Sequence, residues 1–322
     1  MSNRDDLLAG MPVAVEQPEM SPLGDIGQPA GDHELGEGAE PVPLTQWQLF
    51  RRRFLRHRTA VVAVFVLLVL YILCFGAEWI APYEQNQQDL VLGPVSPNSE
   101  HLLGTDLLGR DTLTEVLFAG QISLRIGMAV AVLSTVTGTT FGLLAGFYGK
   151  WVDQLLMRLT DLFLIMPGIA ILALALQRFG GSPLTVTLVL AGLFWMWIAR
   201  VVRGQTMALK EKEFVEAARA VGASGPRIMG RHILPNCVGP ILVNATLQIA
   251  VAIITESTLS FLGFGVQPPT TSWGNMLADA KGFFNINSHL LYFPGIAILV
   301  TVLAVNTLGD GLRDALDPHA KH

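Results

Sequence analysis

Two carboxylates, Asp161 and Glu256, stand inside long apolar stretches, and two thiols, Cys74 and Cys237, sit in or beside such stretches. A carboxylate at that depth costs about 3 kcal/mol unless it faces water, a partner or hydrogen-bond donors. The two thiols are far apart in sequence and frame neither a disulfide nor a metal site. His101, His232, His289, His319 and His322 do not fall beside acids or thiols at ligand spacing, so a metal site or nucleophilic triad would have to be assembled from remote pieces. The nearest approach to a phosphate loop is "GFYGKW". It lacks the first glycine at the required spacing and has Trp151 where Ser or Thr must follow Lys150. The chain is therefore expected to carry no catalytic residue, no cofactor, no metal and no nucleotide site of its own.

The elements that would position the two carboxylates are long and apolar. The chain is 51% hydrophobic and 15% charged, with a mean hydropathy of +0.47, which is too apolar for a soluble domain. Six stretches are long enough to cross hydrocarbon: Thr59–Ile80, Ile122–Phe147, Leu155–Leu176, Leu184–Val202, Ile241–Phe264 and Leu290–Leu308. Too little polar surface remains to cover six such helices as soluble core. The expected fold is an all-α polytopic membrane protein with six transmembrane helices. In the second stretch Gly138, Gly142 and Gly146 recur on one helical face, a spacing that lets two backbones approach. In the third, Pro167-Gly168 predicts a kink where the backbone can bend or unwind.

Charge sets the expected orientation. Residues 1–45 hold nine acidic groups and one basic one, and the remaining residues carry 17 acidic against 20 basic groups. That acidic, Gly- and Pro-rich tail is expected to be disordered, and it lacks the basic start and apolar core of a signal peptide. "RRRFLRHR" before the first span favours a cytoplasmic N-terminus. The acidic connection 82–121 then falls outside, and 265–289 falls on the same side. The connection from Arg200 to Arg231, with seven Lys or Arg against three Glu, falls inside. Both termini are expected in the cytoplasm. Arg158 and Asp161 are spaced to pair along one helix, and Arg125 is placed to snorkel.

The inner connection contains "EFVEAARAVGASGPRIMGRHILPN", Glu213–Asn236, too charged for lipid and too amphipathic for a plain loop. From Lys210 to Val221 the positions of Phe214, Ala217, Ala218 and Val221 make one apolar face. At ~1.5 Å per residue this helix is about 18 Å long and cannot span. Gly222 marks its stop, and a second turn around Pro226–His232 is expected to close at Pro235. Periodicity alone leaves two options: a helix lying in the headgroup layer, or a partner helix for the groove of a cytoplasmic protein.

This stretch resembles the EAA motif of permease subunits in ABC importers, written EAA-x3-G-x9-I-x-L-P. Glu216, Ala217, Ala218, Gly222, Leu234 and Pro235 match at the right spacing, while His232 stands at the Ile position with Ile233 next to it. "WQLFRRRFLRHR", "HLLGTDLLGRD", "RLTDLFLIMPG", "SFLGFGVQPPTTSWGNML" and "LGDGLRDALDP" look like the C-type permease of dipeptide and oligopeptide importers, with near-continuous coverage from about 46 to 318. Nickel and glutathione importers resemble the same subfamily. The resemblance implies a type I importer transmembrane domain in the plasma (inner) membrane. It implies as partners a second homologous permease, two ATPase subunits on the cytoplasmic side and an extracytoplasmic substrate-binding protein. Lipid surrounds the spans, and no nucleic acid is expected.

Under that resemblance Phe214, Glu216, Ala217, Ala218, Gly222, Leu234 and Pro235 form the contact with the ATPase. Glu256 is a pathway or gate residue that meets a peptide amino group or orders the outer gate; its other role is a structural hydrogen-bond acceptor. The connections 82–121 and 265–289 would face the receptor, with Pro268-Pro269 as a stiff turn and Trp273 as an interfacial anchor. The expected organisation is a tail over 1–45, an N-terminal permease region over 46–121 whose first membrane helix is 59–80, a core over 122–311 with its coupling loop at 203–240, and a C-terminus over 312–322. A self-sufficient channel or ion-driven carrier would need paired charges on several spans, and only Glu256 and Asp161 qualify. An intramembrane enzyme would need a nucleophile or metal cluster.

Overall fold

The computed structural model describes residues 46–283 and 287–316. The expected disordered tail over 1–45 and the terminal histidines His319 and His322 lie outside the described residues. Among the described residues there are helices and no strand.

A basic helix, α1 (Gln46–Arg56), leads into α2 (Arg58–Phe75), the first apolar span. Gly76 ends α2, and a four-residue turn, α3 (Ala77–Ile80), completes the stretch expected as one helix. The loop that follows is tied by Thr105, whose hydroxyl donates to the Gly93 carbonyl and accepts from the Val95 amide, and by a His101–Asp111 contact at 2.9 Å.

α4 (Thr112–Tyr148) begins ten residues earlier than the apolar pattern indicates. Its first three turns carry Thr112, Thr114, Glu115 and Gln121, which lowers their hydropathy without weakening the helix. Asp111 caps it, accepting from the Thr114 amide at 2.8 Å. At ~1.5 Å per residue α4 is about 55 Å long and reaches from one end of the bundle to the other.

The third stretch bends sharply at Pro167-Gly168, as expected, and the helix is interrupted there. α5 (Lys150–Ile165) and α6 (Gly168–Phe179) meet at 88° across Met166-Pro167. Pro167 biases the preceding residue out of helical geometry, and Met166 is extended at φ −72°, ψ 143°. α7 (Pro183–Leu209) follows, capped by Ser182.

A short helix, α8 (Glu213–Ala220), a turn, α9 (Gly225–Ile228), and a π-helical turn over Met229–Ile233 lead without a break into α10 (Leu234–Phe261). The segment 225–261 is thus one long rod, and Pro235 does not close a separate helix as expected. Proline has no amide to donate to the preceding turn, and the widened turn before it absorbs that defect. α11 (Trp273–Ala280) and α12 (His289–Leu316) are the last α-helices among the described residues. Among the described residues five helical rods are long and apolar enough to cross a membrane, and the broken α5–α6 pair makes six crossings when taken as one.

α4 and α7 form the spine. A Cβ built on Gly142 would lie 2.6 Å from the Ala199 carbonyl oxygen, and one on Gly146 would lie 2.8 Å from that of Arg203. Side chains at these positions would wedge the two backbones apart. Across the same seam Phe141 meets Trp195 edge-on at 4.9 Å. The bent pair is fastened to α7 by charge. Asp153 takes a two-point contact from Arg203, at 2.5 and 2.7 Å, and Asp161 binds Arg200 at 2.5 Å. The expected Arg158–Asp161 pairing is therefore replaced by a contact between elements. An aligned guanidinium from the neighbouring helix offers Asp161 a planar, charge-assisted partner. Arg125 lies over the Phe75 ring at 5.2 Å.

Candidate functional site

The hairpin lies at the Tyr148 end of α4. α8 is shorter than the sequence suggests, because α7 runs on to Leu209 and Lys210–Lys212 make the turn. Its end is a Schellman closure: the Gly222 amide donates to the Arg219 carbonyl at 2.9 Å and the Ala223 amide to the Ala218 carbonyl at 3.0 Å. Gly222 adopts φ +79°, the left-handed conformation that glycine takes at low cost.

Two faces of α8 do different things. Val215 and Ala218 are buried, packed with Leu143, Ile198, Val202, Ile228, Met229, Ile233 and Cys237. Arg219 lies over the Phe147 ring at 5.8 Å, and a Cβ on Gly225 would meet that ring at 3.0 Å. On the other side Phe214 is 41% and Val221 85% exposed, with Glu216 and Ala217 exposed between them. The single apolar face expected over Phe214, Ala217, Ala218 and Val221 is thus divided. Ala218 faces the bundle; Phe214, Ala217 and Val221 face away from it. Val215 carries the inward anchoring that periodicity did not assign, since the eight-residue helix is rotated to put it over Ile228 and Val202. Leu234 is half-buried and Pro235 exposed at the start of α10, while Ile233, beside the departing His232, is fully buried. The motif residues therefore share one end of the bundle.

Glu256 does not belong to that group. It lies 22 residues beyond Leu234 on the same rod, about 33 Å away. Its side chain is fully buried, and four serines surround the carboxylate. Ser260 and Ser272 donate to Oε1 at 2.7 Å each, and Ser257 and Ser123 approach Oε2 at 3.4 and 3.5 Å. These hydroxyls also hold backbone: Ser123 accepts from the Trp273 amide at 3.2 Å and Ser260 from the Val266 amide at 3.2 Å. One carboxylate thus joins α4, α10, the 262–272 return and the start of α11. Trp273 is fully buried, and its indole N–H donates to the Val116 carbonyl at 2.9 Å. It is not the interfacial anchor expected, because an internal carbonyl satisfies the only polar atom of its ring. Nothing in the local sequence marks these serines; Ser123 is 133 positions from Glu256.

At this same end Asp279 stands across from the Asp106–Arg110 pair. Desolvation pushes the Asp279 carboxyl above the usual carboxylate range; the Arg110 guanidinium opposes the rise and Asp106 adds to it.

Comparison with known proteins gives a consistent picture. The family described as "Binding-protein-dependent transport system inner membrane component" matches residues 138–322, and the "N-terminal TM domain of oligopeptide transport permease C" matches residues 45–94. The glutathione transport system permease protein GsiD of Pectobacterium atrosepticum is 43% identical over 279 residues, covering 86% of this chain and 92% of that protein. Its counterpart in an Escherichia coli O6:K15:H31 strain is 44% identical over 279 residues, with the same coverage. A putative peptide transport system permease protein of Brucella abortus is 42% identical over 285 residues, covering 88% of this chain and 94% of that protein.

Proposed function

The chain belongs to the family of binding-protein-dependent transport system inner membrane components, and on that premise we propose that it forms half of the pathway of an ATP-driven importer for peptides, glutathione-like tripeptides included. It is a permease subunit. Its partners in this reading are a second homologous permease, two ATPase subunits and an extracytoplasmic binding protein. The hairpin end faces the cytoplasm together with both termini, in line with the basic residues of α1 and of the connection that carries α8.

One observation carries the coupling role. α8 is locked to the bundle by Val215 and Ala218 and capped rigidly at Gly222, yet it leaves Phe214, Ala217 and Val221 uncovered at the bundle's tip. A short helix held on one side and apolar on the other suits insertion into a groove. Movement of the docked partner is then transmitted through α9 and the π-helical turn into the 225–261 rod. Glu256 serves at the far end of that rod, ordering α11 and the 262–272 return as part of the outer gate. Its burial within the serine cage favours this positioning role over contact with cargo. The homologues' names support peptide or glutathione cargo.

Phe214→Asp is expected to reach the membrane at normal abundance while the ATPase subunits co-purifying with it fall about tenfold or more, the usual consequence of losing an aromatic anchor at an interface. Undiminished co-purification would remove the docking role. Uptake of di-, tri- and longer peptides, glutathione and nickel by cells lacking the gene, with and without restored chain, identifies the cargo.

A further inference from the structure

A cavity of about 290 Å³ opens at the Thr112 end of α4, away from the hairpin, between the loop before α4, the end of α11 and the start of α12. Three carboxylates and one cation line it: Asp106, Glu115 and Asp279 against Arg110. The cation is committed. Arg110 Nε donates to Asp106 Oδ2 at 2.6 Å, and its Nη1 reaches the Asn86 side-chain oxygen at 3.4 Å. Neither bond reaches Glu115 or Asp279, so Arg110 acts on these two only through its charge, one cation against three carboxylates.

Two further atoms point to an occupant. Glu115 is 4% exposed, and while its Oε1 accepts from the Asn86 amide at 2.8 Å, its Oε2 is buried without a hydrogen-bond partner. Thr112, 1% exposed, lines the same cavity, and its hydroxyl likewise has no partner. A buried carboxylate oxygen left unpaired costs more than the same oxygen in water. The complement it lacks is a hydrogen-bond donor, and three carboxylates around one cavity favour a positively charged one. Among the described residues no group of three His, Cys, Asp or Glu could hold a metal ion. The other walls are aliphatic: Leu107, Leu108, Met276, Ala280 and Leu290. Such a cavity suits an alkyl stem ending in a charge, the amphipathic form that lysine side chains and simple alkylamines share.

We infer that this cavity is a binding site for an alkylammonium group, whose N–H donors reach Glu115 Oε2 and the Thr112 hydroxyl from within the aliphatic wall, with Asp279 at the mouth. The group comes either from a lysine of the docked extracytoplasmic partner or from a free amine.

The test uses the full chain in lipid nanodiscs and n-butylammonium chloride as the probe, with tetramethylammonium chloride at equal ionic strength as the control that cannot donate. The melting temperature rises saturably with n-butylammonium and not with tetramethylammonium. Glu115→Gln keeps the acceptor for the Asn86 amide and shifts the half-saturating concentration up by about tenfold or more, as loss of a buried charge-assisted bond should. Asp279→Asn, at an exposed position, shifts it in the same direction and serves if the first variant folds poorly. No saturable rise, or an unchanged midpoint in both variants, overturns the site. A second arm measures binding of the cognate extracytoplasmic protein with and without saturating n-butylammonium. Competition assigns the site to that partner's lysine, and unchanged binding assigns it to a free amine. Only this arm rests on the importer reading; the melting arm needs neither ATP nor transport, so the two can fail separately.

Discussion

Replacing Gly222 by valine is expected to leave the protein inserted at normal abundance while uptake falls about tenfold or more and ATP hydrolysis by the assembled complex continues. Gly222 sits at φ +79° with open space around the position a Cβ would take. The penalty is therefore conformational and local. A left-handed L-residue costs about 1–2 kcal/mol, more for a β-branched one, and about 1.4 kcal/mol is already a tenfold change in an equilibrium. The chain relieves the strain by opening the two amide contacts to Arg219 and Ala218, which lets α8 turn away from its set angle. The spans do not depend on that angle, but transmission does. Gly222→Asn, which tolerates the left-handed region, should retain most of the uptake. Normal uptake by the valine variant would show that the angle of α8 carries no force.

The second large effect is at the other end. Glu256→Ala should lower the stability of the detergent-purified chain by about 3 kcal/mol. Two short hydroxyl donors lose their acceptor, worth about 0.6–1.7 kcal/mol each between membrane helices. The void left beside Trp273, with no room for repacking against four serines, adds about 1–2 kcal/mol. Glu256→Gln keeps an acceptor for Ser260 and Ser272 and should cost about 1 kcal/mol or less. In a background with the other five tryptophans replaced by phenylalanine, Trp273 fluorescence should shift to the red at a lower temperature in the alanine variant, since α11 is released before the α4–α7 spine. If the alanine and glutamine variants melt alike, the carboxylate is not the fastening.

The spans were readable because hydropathy reports the solvent of a helix. Their ends were not, wherever a helix leaves lipid but keeps its hydrogen bonds. Thr112, Glu115 and Gln121 depress the hydropathy of the first turns of α4, and nothing local reveals that Asp111 caps them. The broken third span was legible as Pro167-Gly168, but neither its 88° angle nor the ion pairs from the α5 carboxylates to Arg200 and Arg203 of α7 can be read from local sequence. The hairpin was located by its motif spacing, but its rotation was not. Val215 faces inward because Ile228 and Ile233 are brought beneath it by a π-helical turn that no periodicity announces. Glu256 was conspicuous as a charge in an apolar run, while Ser123 and Ser272 look ordinary until the fold gathers them around it.

The most direct measurement reconstitutes the purified chain and its companion permease in proteoliposomes, with and without the ATPase subunits. The binding protein and labelled tripeptide are added on the receptor side and ATP on the hairpin side. Accumulation against a gradient is expected only when the ATPase subunits and ATP are both present, and it should be lost in the Gly222→Val complex despite continued hydrolysis. Uphill accumulation by the permeases without any ATPase subunit would contradict this coupling.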